Sequence, residues 1–130
     1  MRVRYALRRR VTLHRILKVV FEIRRSKEGN HMSVVQFTRF KGGDPEQVIK
    51  NARVAKQILE KHGAEFLRLS RFHTGSWAGE WLVTTRYANW EVYGKVQDAL
   101  AKDPEFAKVL SQTMEIAELM GRNIAVGIDL

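Results

Sequence analysis

The segment 65–88 constrains the fold of this chain most strongly, because it alone has the pattern of two long strands joined by a turn. Both arms, Glu65–His73 and Trp81–Ala88, are rich in aromatic and branched side chains. Gly75 and Gly79 lie between the arms, where a chain reversal favours glycine. The segment therefore predicts a β-hairpin.

The two faces of this hairpin differ in polarity, because successive side chains of a strand point to opposite sides. One face is apolar and comprises Leu67, Leu69, Trp81, Val83 and Thr85. The other face is mixed and comprises Phe66, Arg68, Ser70, Phe72, Leu82, Thr84 and Arg86. We expect helices to cover the apolar face and a less apolar partner to cover the mixed face.

A strand and a helix are predicted before the hairpin. In the strand, Ser33–Phe40, we assign Val35 and Phe37 to the apolar side. The mixed side would then hold Val34, Gln36, Thr38 and Phe40. The helix begins at Asp44-Pro45, an N-cap followed by proline, and ends at Gly63. One stripe along the helix comprises Val48, Ala52, Ala55, Leu59 and His62.

The remainder of the chain predicts a broken helix and a last strand. Asn89 can cap a helix, and Asp103-Pro104 can bend or restart it. We expect the second part to continue to Gly121 and the strand to cover Asn123–Leu130. The resulting order, βαββαβ, is that of an α+β ferredoxin-like sandwich whose second helix is split near Asp103-Pro104.

The mixed sheet face is expected to pair with a second copy of the chain. It would expose a large apolar patch on a monomer, comprising Val34, Phe40, Phe66, Phe72 and Leu82. A two-fold dimer buries the same patch on both copies. A homodimer is therefore predicted.

The residues also resemble those of a known superfamily. Arg86-Tyr87 ends a strand, Trp90-Glu91 and Tyr93 open a helix, and Asp103-Pro104-Glu105-Phe106 restarts it. This arrangement over residues 32–130 is similar to the dimeric α/β-barrel superfamily, which includes antibiotic-biosynthesis monooxygenase-like, EthD-like and NIPSNAP-like proteins. The resemblance implies that two sheets pair face to face into a barrel, and it implies no particular chemistry.

The mixed face offers a candidate ligand site inside such a barrel. Its polar side chains are Gln36, Thr38, Arg68, Ser70, Thr84 and Arg86. Guanidinium groups bind carboxylates and hydroxyl groups fix orientation, so the cluster would suit a small, partly anionic or aromatic organic molecule. Alternatively, Arg68 and Arg86 reach the rim or pair with acids across the dimer, such as Glu65 or Asp129.

A second candidate site lies at the end of the hairpin. His73 could act as a general base beside Arg71, with Trp77 and Tyr87 as aromatic walls. The protein would then be a cofactor-independent monooxygenase or isomerase, a chemistry that the superfamily resemblance allows. The simpler interpretation of His73 is a surface residue that closes a hairpin.

The positive charge of the chain is concentrated at its N-terminus. Residues 1–31 hold 10 of the 23 basic and 2 of the 14 acidic residues, so they carry +8 of the net charge of +9. The domain at 32–130 is nearly neutral, and we expect it to bind no nucleic acid. The basic arm could be a targeting presequence, a lipid-binding or nucleic-acid-binding arm, or a stretch outside the mature protein. We favour the last, because Lys27-Glu28-Gly29 can be encoded by a bacterial ribosome-binding sequence upstream of Met32.

Other function classes find no support in the sequence. Cysteine is absent, which excludes thiolate chemistry and fits a reducing compartment such as the cytoplasm. No apolar run approaches the roughly 20 residues of a membrane span. Neither a metal-ligand spacing nor a phosphate-binding glycine loop is recognisable, so we expect no cofactor or metal.

Overall fold

The computed structural model describes residues 32–130. It contains four strands and three helices: β1 (Val34–Lys41), α1 (Pro45–His62), β2 (Phe66–Arg71), β3 (Trp81–Tyr87), α2 (Trp90–Ala101), α3 (Pro104–Ile116) and β4 (Glu118–Val126). The predictions for the basic arm, residues 1–31, lie outside the described residues. None of the helices in the described part is long and apolar enough to cross a membrane.

The strands form one antiparallel sheet in the order β2-β3-β1-β4. The predicted hairpin is present as β2 and β3, which pair from Phe66 opposite Arg86 to Arg71 opposite Trp81. The helices pack on one face of the sheet and form the core with it. The α+β ferredoxin-like fold predicted from the sequence is therefore confirmed.

The helix boundaries that depend on local chemistry agree with the prediction. Asp44 accepts a hydrogen bond from the backbone amide of Gln47, and Asn89 accepts one from the amide of Val92. Asp103 caps α3 in the same way, so the second helix is split where proline follows. Gly63 has a φ of 124°, which a residue with a side chain rarely adopts, and it ends α1.

The prediction for the two faces of β1 is wrong. Val34 and Phe40 are buried beneath the helices, and Gln36 and Thr38 lie on the same side. Val35 and Phe37 lie on the opposite, open face of the sheet. Each face of β1 carries two large apolar residues, so the alternation of polarity does not decide which face points inward. Val34 and Phe40 therefore do not belong to the patch expected to pair with a second copy.

The predicted boundary between the last helix and the last strand is also wrong. α3 ends at Ile116 rather than near Gly121, and β4 begins at Glu118. Leu119 pairs with Phe40 in the sheet, next to a shift in register between Arg39 and Phe40. The helical spacing of apolar residues continues beyond Ile116, but pairing with β1 favours an extended chain there.

An ion pair connects the end of α1 to the start of α3. His62 Nε2 lies 2.7 Å from Asp103 Oδ2, and Lys61 Nζ lies 3.9 Å from the same oxygen. The hydrogen bond from His62 lowers the pKa of Asp103, and the backbone amides of Glu105 and Phe106 lower it further, whereas partial burial opposes them. Asp103 therefore favours the folded state most when it is ionised.

This ion pair should make stability depend on acidity. A carboxylate whose pKa is lowered by folding contributes stability above its unfolded pKa of about 3.9, and that contribution is lost as the pH falls through the folded pKa. The melting temperature of the natural chain should therefore fall more steeply below about pH 4 than that of Asp103→Asn. Circular dichroism melts across this range measure the difference. Parallel curves for the two proteins would contradict the assignment.

Candidate functional site

A cavity of about 120 Å³ lies between the sheet and the helices α1 and α3. Its floor is formed by Gln36, Thr38, Phe40, Leu67, Leu69, Trp81, Val83, Thr85 and Arg122. Its roof and walls are formed by Val48, Asn51, Ala52, Ala55, Leu59, Phe106, Val109, Leu110, Thr113 and Ala117. Most of this surface is apolar, and the small side chains of Ala52 and Ala55 leave space above the floor.

Polar groups cross the cavity floor on adjacent strands. The Tyr93 hydroxyl donates to Gln36 Oε1 at 3.2 Å, and Gln36 Nε2 donates to Thr38 Oγ1 at 3.5 Å. Thr85 is paired with Gln36 in the sheet and is only 3% exposed. Its Oγ1 makes no hydrogen bond of normal geometry in the described part of the chain. A buried hydroxyl without a well-formed hydrogen bond is costly, so this atom can accept a better partner from a ligand.

The polar groups of the roof, in contrast, are satisfied within the protein. Asn51 is buried, accepts from Gln47 Nε2 at 2.9 Å and donates to Thr113 Oγ1 at 3.3 Å. The Thr113 hydroxyl donates to the backbone carbonyl of Val109 at 2.8 Å. These bonds connect α1 to α3 across the top of the cavity. They brace the cavity and leave less hydrogen-bonding capacity for a ligand than the floor does.

Tyr87 closes one end of the core beside the floor. Its side chain is 1% exposed, its ring contacts that of Tyr93 edge to face at 5.0 Å, and its hydroxyl accepts from Gln97 Nε2 at 3.3 Å. Burial raises the pKa of Tyr87, which the nearby hydroxyl of Thr85 and the charge of Arg122 partly oppose. The phenol is therefore neutral at physiological pH and can donate a hydrogen bond.

Comparison with solved structures finds the same fold in several proteins of low sequence identity. A cofactor-independent oxygenase of Streptomyces nogalater has a TM-score of 0.59 and 13% identity, covering 76% of this chain and 96% of that one. A NIPSNAP family protein of unknown function from Agrobacterium tumefaciens has a TM-score of 0.54 and 11% identity, covering 75% and 87%. A dimeric ferredoxin-like protein of unknown function from Thermobifida fusca has a TM-score of 0.52 and 12% identity, covering 74% and 90%.

The chain shares the α+β ferredoxin-like fold of these proteins. This likeness confirms the resemblance found in the sequence, and at such low identity it concerns the fold alone. No protein-family model matches the sequence, and no curated protein matches it.

The ferredoxin-like fold divides the polar cluster predicted from the sequence between two faces of the sheet. Gln36 and Thr38 line the cavity beneath the helices. The other members, Arg68, Ser70, Thr84 and Arg86, lie on the open face. The error in the face assignment of β1 is the cause. The sequence pattern grouped residues that the sheet itself separates.

On the open face, the two arginines of that cluster have partners within the chain. Arg86 Nε lies 3.2 Å from Glu65 Oε1 of the same chain, whereas the predicted alternative was a pair across the dimer, which stays a prediction. The guanidinium of Arg68 lies 4.2 Å from the centre of the Phe66 ring. Both side chains are exposed, so these contacts contribute little to stability. A ligand-binding role for Arg68, Ser70, Thr84 and Arg86 stays a prediction.

The second predicted site lies at the exposed end of the hairpin, away from the cavity. His73 is exposed, and Tyr87 lies at the other end of β3. Trp77 is 44% exposed, with the Arg39 guanidinium 3.9 Å from its ring centre and Phe72 in edge contact. The structure therefore does not bring His73 and Tyr87 together. A catalytic role for His73 stays a prediction.

Arg71, the other member of this site, is held by the hairpin itself. Its Nε donates to the carbonyl of Gly79 at 3.1 Å, and its guanidinium lies 4.6 Å from the ring centre of Trp81. Trp81 in turn donates from Nε1 to the carbonyl of Gly42, which fixes the indole in the cavity floor. Arg71 thus supports a cavity residue from outside, and its predicted contact with a ligand stays untested.

Four polar residues of the cavity, Asn51, Thr85, Thr113 and Arg122, were not singled out in the sequence as site residues. Thr85 was assigned to the apolar face of the hairpin. Arg122 lies just before the predicted last strand and in the middle of the observed one. A threonine within an apolar stripe is a weak sequence signal for a cavity. The position of Arg122 in the cavity could be predicted only from the pairing register of β4 with β1.

Proposed function

We propose that the protein is a homodimer that binds a small aromatic or partly anionic organic molecule in the cavity between its sheet and its helices. The observation that carries the proposal is the buried hydroxyl of Thr85, which makes no hydrogen bond of normal geometry, on the floor of an apolar cavity. Pockets with a few polar groups in an apolar lining are the usual form of small-molecule sites. An engineered apolar cavity of about 150 Å³ accepts one benzene molecule, so this cavity suits a ligand built around one ring.

The homodimer is supported by the open face of the sheet. The half-buried apolar side chains Val35, Phe37 and Leu82 lie on it, and no helix of residues 32–130 covers them. A neighbour of similar fold is described as dimeric. Pairing of two open faces would bury this patch on both copies. The absence of cysteine is in keeping with a bacterial cytoplasmic location, which we include in the proposal.

A substitution that fills the cavity should abolish ligand binding without unfolding the protein. Ala55→Leu places a branched side chain into the space above the floor, whereas Ala107→Leu makes the same change on the exposed side of α3. We expect small aromatic compounds to shift the NMR signals of Trp81 and Thr85 in the natural chain and in Ala107→Leu. In Ala55→Leu the shifts should be lost. Equal binding by all three proteins would contradict the assignment of the cavity.

A cofactor-independent monooxygenase is the second candidate, because a neighbour of the same fold is described as such an oxygenase. Proton abstraction from an aromatic substrate would need a base, and the cavity is lined by no histidine, aspartate or glutamate. The binding function is therefore better supported. Oxygen uptake measured with a hydroquinone substrate separates the two candidates, since only an oxygenase would accelerate it.

A further inference from the structure

Arg122 brings one positive charge to the mouth of the cavity. It lies on the edge strand β4 opposite Thr38, and both residues line the cavity. Its side chain is exposed at the outer side. Within residues 32–130, no carboxylate lies within ion-pair distance of its guanidinium. The charge is therefore available to an anionic group that enters from solvent.

The surroundings of Arg122 favour an anion over a neutral group. None of the residues that line the cavity is acidic, so no side chain there offsets the positive charge. The apolar lining lowers the local dielectric constant, which strengthens an interaction between the guanidinium and a carboxylate.

Thr85 and Arg122 mark the two ends of the polar floor. They lie on β3 and β4, on either side of β1, and are offset by two residues along the strands, because Thr85 is opposite Gln36 and Arg122 is opposite Thr38. Their backbones are therefore about 12 Å apart. Gln36 and Thr38 of β1 lie between them. The side chain of Arg122, when it extends toward the cavity, covers part of the distance to Thr85. One aromatic ring that carries a carboxylate at one end and a hydroxyl group at the other fills the remainder.

We propose that the cavity selects a single-ring aromatic carboxylate, with the carboxylate bound by Arg122 and a ligand oxygen hydrogen-bonded by Thr85. This inference rests on the proposed function and specifies the ligand class of the same site. Arg122 would determine specificity for the anion, and Thr85 would determine orientation. The apolar walls would hold the ring.

The test uses three related compounds and the full chain. 4-Hydroxybenzoate has both groups, 4-hydroxybenzamide replaces the carboxylate by a neutral group of similar shape, and benzoate lacks the hydroxyl group. Titrations are followed by NMR signals of Trp81 and Val83, which line the cavity. We expect the natural chain to bind 4-hydroxybenzoate about tenfold more tightly than 4-hydroxybenzamide, the usual advantage of a hydrogen bond to a charged group.

Two variants separate the contributions. Arg122→Gln should remove the preference for the carboxylate and leave the affinity for 4-hydroxybenzamide unchanged. Arg53→Gln, which removes an arginine from the exposed side of α1, should keep the preference. Thr85→Val should weaken the binding of 4-hydroxybenzoate severalfold and leave the affinity for benzoate unchanged, because the substitution removes only the hydroxyl group of the threonine.

The outcomes distinguish this inference from the proposed function. If the two isosteric compounds bind equally to the natural chain, or if Arg122→Gln keeps the preference, the carboxylate assignment is overturned while the cavity remains a binding site. If none of the three compounds shifts the cavity signals, the single-ring ligand and the proposed binding function both fail.

Discussion

Replacement of Arg39 by methionine should lower the free energy of unfolding by about 3 kcal/mol, the range found when one partner of a mostly buried ion pair is removed. Arg39 Nε lies 2.7 Å from Oε1 of Glu80, and both side chains are largely shielded from water. Glu80 immediately precedes β3 and is buried next to Trp81. Without Arg39, its carboxylate would stay buried and lack its ion-pair partner. Urea denaturation at a fixed protein concentration measures the loss.

The loss of stability should come from the buried, unpaired carboxylate of Glu80 rather than from the missing aliphatic part of the arginine side chain. The double variant Arg39→Met with Glu80→Met removes both charges and should recover much of the stability, since apolar residues often replace a buried ion pair at little cost. If the two single losses simply add in the double variant, the pair does not contribute as a unit. Urea midpoints with unchanged slopes would show that only stability has changed.

The same substitution should loosen the turn of the hairpin. The Arg39 guanidinium lies 3.9 Å from the centre of the Trp77 ring, and Phe72 contacts that ring from the side. Removal of the guanidinium leaves the indole with one neighbour fewer, so Trp77 should become more exposed. The contacts of Arg39 thus connect β1 to the segment that carries His73. None of these contacts involves a residue that lines the cavity.

The sequence was sufficient for those parts of the fold that depend on neighbouring residues. Asp44, Asn89 and Asp103 cap helices because a side-chain oxygen satisfies backbone amides two or three positions later. Gly63 ends α1 because glycine tolerates the backbone angle required there. The β2–β3 hairpin is local as well. From these elements the order βαββαβ follows, and the order indicates the fold.

The candidate site depended on contacts between residues distant in the sequence and was therefore predicted only in part. Gln36 and Thr38 were selected correctly as polar members of one face of β1, but that face contacts the helices rather than a second copy. Polar residues beneath helices are tolerated there because Tyr93 supplies a hydrogen bond to Gln36. The pairing of β4 with β1 then brings Arg122 to the cavity. No local sequence pattern predicts the pairing of β4 with β1.

The corrected faces of β1 make Phe37 the decisive residue for the proposed homodimer. Phe37 lies on the open face of a strand that has neighbours on both sides, between Thr84 of β3 and Asn123 of β4. We expect Phe37→Lys to weaken dimerisation by about a thousandfold, which corresponds to about 4 kcal/mol. A two-fold interface contains every substitution twice, so two ammonium groups would be buried together. Arg68 and Arg86 on the same face would add repulsion.

Ile49→Lys is the matched control for this prediction. Ile49 is a partly exposed apolar residue of α1, on the side of the protein away from the open face, so the same change of charge and size should leave the dimer intact. Sedimentation velocity of both variants at several concentrations gives the association constants, and circular dichroism shows whether each is folded. A folded Phe37→Lys chain that sediments as a dimer would exclude the open face as the interface. Equal dissociation of Ile49→Lys would show that net charge, rather than burial of Phe37, controls assembly, because this control alters the charge while leaving the proposed contact surface unchanged.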